Sequence, residues 1–305
     1  MLDLSIEIAG IKLKNPVIMA SGTFGSGKEY SNIIDLNKVG AIVTKTITFQ
    51  KYEGNPTPRI CETPSGMLNS IGLQNEGVEA FAEKDIDFLS GFDVPIIVSI
   101  GGASIDDYCR VTKYLSPIDE ISALEINISC PNVKAGGMAF GMDPGSAAEL
   151  VSKVKTCTSK PLIVKLTPNC GDIIGVAKAV ERAGASSISL INTILAMAVD
   201  VDKRSPKLAT VVGGLSGPAV KPIALRMVWQ VASNVDIPVI GIGGISTAED
   251  ALEFLIAGAT AIGVGTAVFV DPQAPIKIVE GIGDYLNKHG IESIDDLIGT
   301  LDTKR

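Results

Sequence analysis

Eight short apolar runs, separated by helix-like stretches, constrain this chain more than any other feature. They are PVIMASG (16–22), AIVTKT (41–46), PIIVSIGG (95–102), ALEINISC (123–130), PLIVKLT (161–167), SISLINT (187–193), PVIGIGG (238–244) and AIGVGTA (261–267). The runs are continuous rather than alternating, the pattern of parallel strands buried on both faces. Stretches at 77–90, 104–115, 145–157, 218–233 and 246–257 read as helices between them. Asp143-Pro144 and a Ser246-x-x-Glu249 capping box mark two helix starts. Eight alternating strands and helices predict an α/β fold, a (β/α)8 TIM barrel, which typically needs about 250 residues. The 305 residues are then one domain, 1–305. LSIEI and IKLK, around Ala9-Gly10, form an N-terminal β-hairpin plugging the barrel bottom. A doubly wound sheet is the alternative. Two long loops, 47–76 and 194–221, reach over the C-terminal face, and excursions of that length are usually functional.

A net charge of −8 argues against nucleic acid as a partner, since a polyanion needs a basic footprint. No apolar run approaches the roughly 20 residues of a membrane helix, and no charged-then-apolar leader opens the chain. A cytoplasmic protein with no membrane association is expected. The five cysteines form no C-x-x-C pair, so no metal site and no disulfide framework is expected.

A barrel of this kind carries its active site at the C-terminal ends of the strands. Those ends read Ser21-Gly22, Lys45-Thr46, Ser99, Asn127 with Cys130, Lys165-Leu166-Thr167, Asn192-Thr193, Gly243-Gly244 and Gly265-Thr266. Two lysines and several amides converge there, which suits an anionic ligand with imide-like edges. Glu125, two residues before Asn127 and so on the same face, is a candidate buried partner for Lys165. GIGGIS (241–246), GVGTAVF (263–269) and GGLSGPA (213–219) let backbone N–H groups approach a phosphate. A sugar phosphate and a flavin mononucleotide both fit that pattern.

The only histidine, His289, lies in a helix end near the C-terminus. A proton-transfer enzyme built on these strand ends must therefore use Cys130, Lys45 or Lys165. Cys130 is the best placed, and lysines nearby would lower its thiol pKa. Cys61 and Cys170, in loops, and Cys109 and Cys157, in helices, read as structural.

NSIGLQN (69–75), NISCPNVKAGG (127–137), IVKLTPN (163–169), INT (191–193), GGLSGPAVKPIALRMV (213–228) and GIGGI (241–245) together resemble the dihydroorotate dehydrogenases, in order and over essentially the whole chain. A cysteine at 130 resembles class 1, and CPNVKAGG with NSIGLQN resembles the NAD-linked class 1B more than the fumarate-using class 1A. The resemblance implies oxidation of (S)-dihydroorotate to orotate in pyrimidine biosynthesis, with Cys130 taking the C5 proton while the C6 hydride passes to N5 of FMN. It implies a substrate cradle of Lys45, Asn69, Ser70, Ile71, Gly72, Leu73, Asn127, Asn192 and Thr193. On the flavin side it implies Ser21, Lys45, Thr46, Asn127, Lys165 and Ile191, with Ser99 where many relatives carry asparagine. Gly217, Gly243, Gly244, Gly265 and Thr266 would hold the phosphate. It also implies a homodimer core flanked by two partner subunits carrying FAD and a [2Fe-2S] cluster. The competing readings are a class 1A-like homodimer, another flavin barrel, and a non-redox isomerase or lyase using the same phosphate site.

Overall fold

Residues 2–129 and 140–304 are described by a computed structural model. All eight predicted runs become strands: β1 Val17–Met19, β2 Ala41–Val43, β3 Ile96–Ile100, β4 Ile121–Asn127, β5 Leu162–Lys165, β6 Ser187–Leu190, β7 Val239–Ile242 and β8 Ala261–Val264. Each pairs in parallel with its neighbours, and β8 pairs with β1, so the sheet closes into a barrel. Closure removes the doubly wound alternative. The strands are short and apolar because both faces are covered: every residue of β1, β2, β3, β5, β6 and β8 is buried.

Helices cover the outside: α1 (78–89, with a π turn at Ala82–Ile86), α2 Ile105–Leu115, α3 Pro144–Lys155, α4 Ile173–Arg182, α5 Lys221–Ala232, α6 Ala248–Ile256, α7 Ala267–Val270 and α8 Ala274–His289. Asp143 caps α3 as expected, accepting from the Ser146 N–H at 2.8 Å, with Pro144 in the first turn. The box opening α6 is shifted by one residue from the sequence reading. Thr247 is the cap and Asp250 its partner, because the Asp250 carboxylate accepts from both Ser246 and Thr247 N–H at 2.9 Å. Helix α4 has no counterpart in the sequence reading. Between β1 and β2 the described chain makes only a 3-10 turn, Leu36–Lys38. Among the described residues no helix is long and apolar enough to cross a membrane.

The N-terminal hairpin is Ile6–Ile8 against Ile11–Leu13. It buries Ile6, Ile8 and Leu13 in the core at the bottom of the barrel. At the opposite end the two long excursions are not independent loops. Ile60–Thr63 and Gly66–Asn69, after β2, join Ile194–Met197 and Val212–Ser216, after β6, in one four-stranded antiparallel sheet. Cys61 therefore lies in a strand, not a loop. Pro64-Ser65 breaks the first excursion into a hairpin, which is how so polar a stretch enters a ladder.

Candidate active site

Three strand ends meet in one hydrogen-bonded cluster. Asn127, the last residue of β4, donates from Nδ2 to Thr46 Oγ1 at 3.1 Å. The Thr46 hydroxyl shares a 3.0 Å hydrogen bond with Ser99 Oγ of β3. The other atoms of Asn127 are also engaged: Oδ1 accepts from the Ser129 N–H at 3.2 Å, and its carbonyl accepts from Tyr108 Oη at 2.6 Å. Its amide is thus oriented before any ligand arrives. Ser99 is fully buried and lies behind Thr46.

Beside this cluster, β5 delivers Lys165 opposite Asn127 in the ladder. The Lys165 side chain is 7% exposed, and its Nζ lies 3.9 Å from Glu125 Oε1, so the pairing suggested by the shared face of Glu125 and Asn127 is present. Ser189 Oγ of β6 donates to Glu125 Oε2 at 2.9 Å. Lys45 is also largely withdrawn from solvent. Burial, reinforced by the Arg59 guanidinium, pushes its ammonium below the usual lysine range. Arg59 is a third cation at this mouth, after the two lysines, and one absent from the sequence reading. It also laces the first excursion, donating to the Asn55 carbonyl, to Gln74 Oε1 at 2.6 Å and to the Glu53 carbonyl at 3.0 Å.

The first excursion then passes over the strand ends as residues 69–75. Asn69 Nδ2 donates to the Gly214 carbonyl at 3.4 Å. Gly214 in turn packs so tightly on Thr193 that a β-carbon there would overlap its hydroxyl. Asn69 and Thr193 are thereby gathered at one place from the two excursions. The Ser70 hydroxyl is buried with no hydrogen-bond partner among the described residues. Ile71 accepts from the Asn55 N–H at 3.0 Å. Gly72 and Leu73 both adopt positive φ, +74° and +56°. Asn75, buried and the last residue of the NSIGLQN motif though not among the expected site residues, fixes this turn: Oδ1 accepts from Thr48 and Gly77 N–H, while Nδ2 donates to Thr48 Oγ1 and the Leu73 carbonyl. From β6, Ile191 is buried, and Asn192 Oδ1 accepts from the Thr193 N–H at 2.7 Å. Asn169, the last residue of the IVKLTPN motif and likewise not among the expected site residues, donates from Nδ2 to the Thr193 carbonyl at 3.0 Å.

Glycines gather at the ends of β7 and β8. Gly217, Gly243 and Gly244 have φ of +93°, +135° and +75°. A β-carbon on Gly244 would lie 2.8 Å from Lys221 N and 2.9 Å from Gly217 O, so these segments touch backbone to backbone. Thr266 Oγ1 donates to Ser216 Oγ at 2.8 Å, and Gly265 lies beside Ala20 and Thr23 of the β1 loop. Ser21, half-buried, belongs to that loop. Lys221 is itself held by Asp250 at 2.7 Å and Glu253 at 2.8 Å. Those hydrogen bonds, Asp250's first, raise its pKa.

A family model described as dihydroorotate dehydrogenase matches residues 3–286. The chain belongs to that family. Its relatives include a protein of Geotalea daltonii, 56% identical over 299 residues and covering 98% of both chains, and one of Alkaliphilus oremlandii, also 56% identical over 299 residues, covering 98% of this chain and 99% of the relative. A protein of Bacteroides thetaiotaomicron is 52% identical over 302 residues, covering 99% of this chain and all of the relative. Each is named as the catalytic subunit of dihydroorotate dehydrogenase B (NAD(+)).

Within this dihydroorotate dehydrogenase barrel, Cys130, the expected base, lies outside the described residues, three positions beyond Asn127. None of the four described cysteines hydrogen-bonds to the Thr46–Asn127 cluster among the described residues. Burial and then contact with Cys157 push the Cys109 thiol up to about 11, and burial raises Cys170 as well. Thiols held protonated are poor nucleophiles and bases. His289 is the exposed last residue of α8, its ring tilted against Tyr285 at 4.3 Å between centroids.

Proposed function

We propose that this chain is the catalytic subunit of an NAD-linked dihydroorotate dehydrogenase, oxidising (S)-dihydroorotate to orotate in pyrimidine biosynthesis. The observation that carries this reading is the buried Lys165, cross-strand to Asn127 in the Thr46–Asn127 amide cluster, with Lys45 next to Thr46 in a chain of net charge −8. An anion with imide edges needs that combination of cations with both donors and acceptors.

The residues fit FMN. The glycines at 217, 243 and 244 leave a side-chain-free backbone suited to a phosphate, joined by Gly265 and Thr266. The Lys165 ammonium, 3.9 Å from Glu125 Oε1, makes no hydrogen bond among the described residues and is available to a ring carrying negative charge. Ser21, Thr46, Asn127 and Ile191 would line the ring and ribityl chain, with Ser99 acting through Thr46. Bound FMN supplies the acceptor for the hydride that leaves C6 of dihydroorotate.

Cys130, as thiolate, takes the C5 proton. Lys45 would counter the substrate's negative charge. The amides of Asn69, Asn127 and Asn192 pair with the imide edges, Ser70 and Thr193 offer hydroxyls, and Ile71, Gly72 and Leu73 close over the ligand. The Ser70 hydroxyl, buried without a partner among the described residues, supports this arrangement, because an unsatisfied buried donor is costly until a ligand satisfies it.

The relatives' name, a catalytic subunit of an NAD(+) enzyme, supports a second subunit that completes the route to NAD. We assign FAD and a [2Fe-2S] cluster to that partner, two copies flanking a homodimer of this chain in the cytoplasm. Neither nucleic acid nor membrane takes part.

Cys130→Ala separates binding from chemistry. The variant keeps FMN and orotate, while flavin bleaching by dihydroorotate at neutral pH slows by about 10²–10⁴. Bleaching at the native rate would overturn the base assignment, and a colourless protein with no affinity for added FMN would overturn the flavin reading. Turnover of this chain alone with fumarate would overturn the NAD-linked reading.

A further inference from the structure

We propose that Glu125 is a positioning residue, which holds the Lys165 ammonium beneath the ligand pocket and so sets how strongly the chain stabilises negative charge placed there. The inference rests on the flavin reading above. Glu125 is 1% exposed, inside the barrel, one step below Asn127 on the same face of β4. Its Oε2 accepts from the fully buried Ser189 hydroxyl at 2.9 Å. Its Oε1 has no hydrogen-bond partner among the described residues and faces Lys165 Nζ at 3.9 Å. Lys165 is cross-strand neighbour to both Asn127 and Ser189, so three consecutive strands build the arrangement.

As a structural device Glu125 makes little sense. A buried carboxylate with one hydrogen bond costs more than an aliphatic side chain would, and buried ion pairs are often no better than an apolar replacement. At 3.9 Å the carboxylate is close enough to offset the burial of the ammonium, yet beyond hydrogen-bond reach. The three N–H donors of Lys165 are therefore kept in place without being consumed. Ser189 performs the same service for Glu125, fixing the direction of its carboxylate.

The test is a double-mutant cycle read in FMN affinity and in the flavin reduction potential, independently of turnover. Glu125→Gln keeps the shape and removes the charge. Its FMN affinity falls about tenfold, the scale of a hydrogen bond to a charged group, and its potential becomes more negative. Lys165→Met loses at least as much. The double variant is no worse than Lys165→Met, because Glu125 acts only through the lysine. Ser189→Ala, a milder change, shifts both readouts in the same direction, and carries the same cycle if Glu125→Gln does not accumulate as folded protein. An equal loss in the wild-type and Lys165→Met backgrounds would assign Glu125 a merely structural role and overturn the proposal, as would an unchanged potential. A wild-type protein that takes up no FMN would overturn the flavin reading and this inference together.

Discussion

The side-chain amide of Asn127 donates to the hydroxyl of Thr46 across 3.1 Å, joining the end of β4 to the segment leaving β2. Because Thr46 also meets Ser99, one hydroxyl sets the orientation of the amide at the centre of the site.

Thr46→Val removes that hydroxyl at nearly constant volume and leaves Asn127 Nδ2 and Ser99 Oγ unpaired. Stability falls by about 1–3 kcal/mol, the cost of unsatisfied buried groups, and FMN and orotate both bind more weakly. Thr46→Ser restores both. Urea unfolding and fluorescence titration measure the two effects separately.

Lys45 gives the site an alkaline limit. Burial and Arg59 lower its folded-state pKa, so the folded chain releases that proton before the unfolded chain does. Without ligand, the charged form therefore costs stability, and the cost is relieved as pH rises through the lowered value. An anionic ligand favours the charged form, so orotate affinity is highest below that value and declines as pH rises through it. Dissociation constants for orotate measured across alkaline pH follow this decline. Lys45→Met binds weakly, with a flat profile.

Asn75→Ala strips five hydrogen bonds from the turn over the site. The Thr48 and Gly77 N–H groups and the Leu73 carbonyl lose their partner, a loss of about 2–3 kcal/mol on the scale of buried unsatisfied groups. Denaturant unfolding reads the stability, and orotate affinity falls with it because Leu73 loses its support. FMN retention changes less, since the glycine segments lie elsewhere.

Gly244→Ala places a methyl group against Lys221 N and Gly217 O at a φ of +75°. Strain of about 1–3 kcal/mol is expected, and the purified protein loses its flavin on dilution. Gly290→Ala is the control: its φ is +67°, but nothing lies within 4 Å of the added carbon. It lowers thermal stability modestly and keeps the flavin.

Much of this was legible in the sequence because strands buried on both faces announce themselves as apolar runs and a barrel puts chemistry where those runs end. Glu125 could be linked to Lys165 for the same reason, since two residues along a strand restore the face. What was missed depended on distant neighbours. Tyr108 reaches Asn127 across 19 positions, and Arg59 is a cation at the mouth only because its excursion folds back over the barrel. Asn75 reads as an ordinary turn residue until four groups are found around it. The α6 cap was misread because Ser246 and Thr247 are both good caps, and the choice was made by Asp250.

The sheet that unites the two excursions makes their lengths interdependent. Asn69 stands opposite Gly214 in that ladder, and side chains alternate faces residue by residue. One residue inserted between the Pro64-Ser65 turn and Asn69 would turn that amide away from the ligand or drag the partner strand with it. The excursions therefore vary as a matched pair, and exchanging one alone with a related barrel would misalign the other.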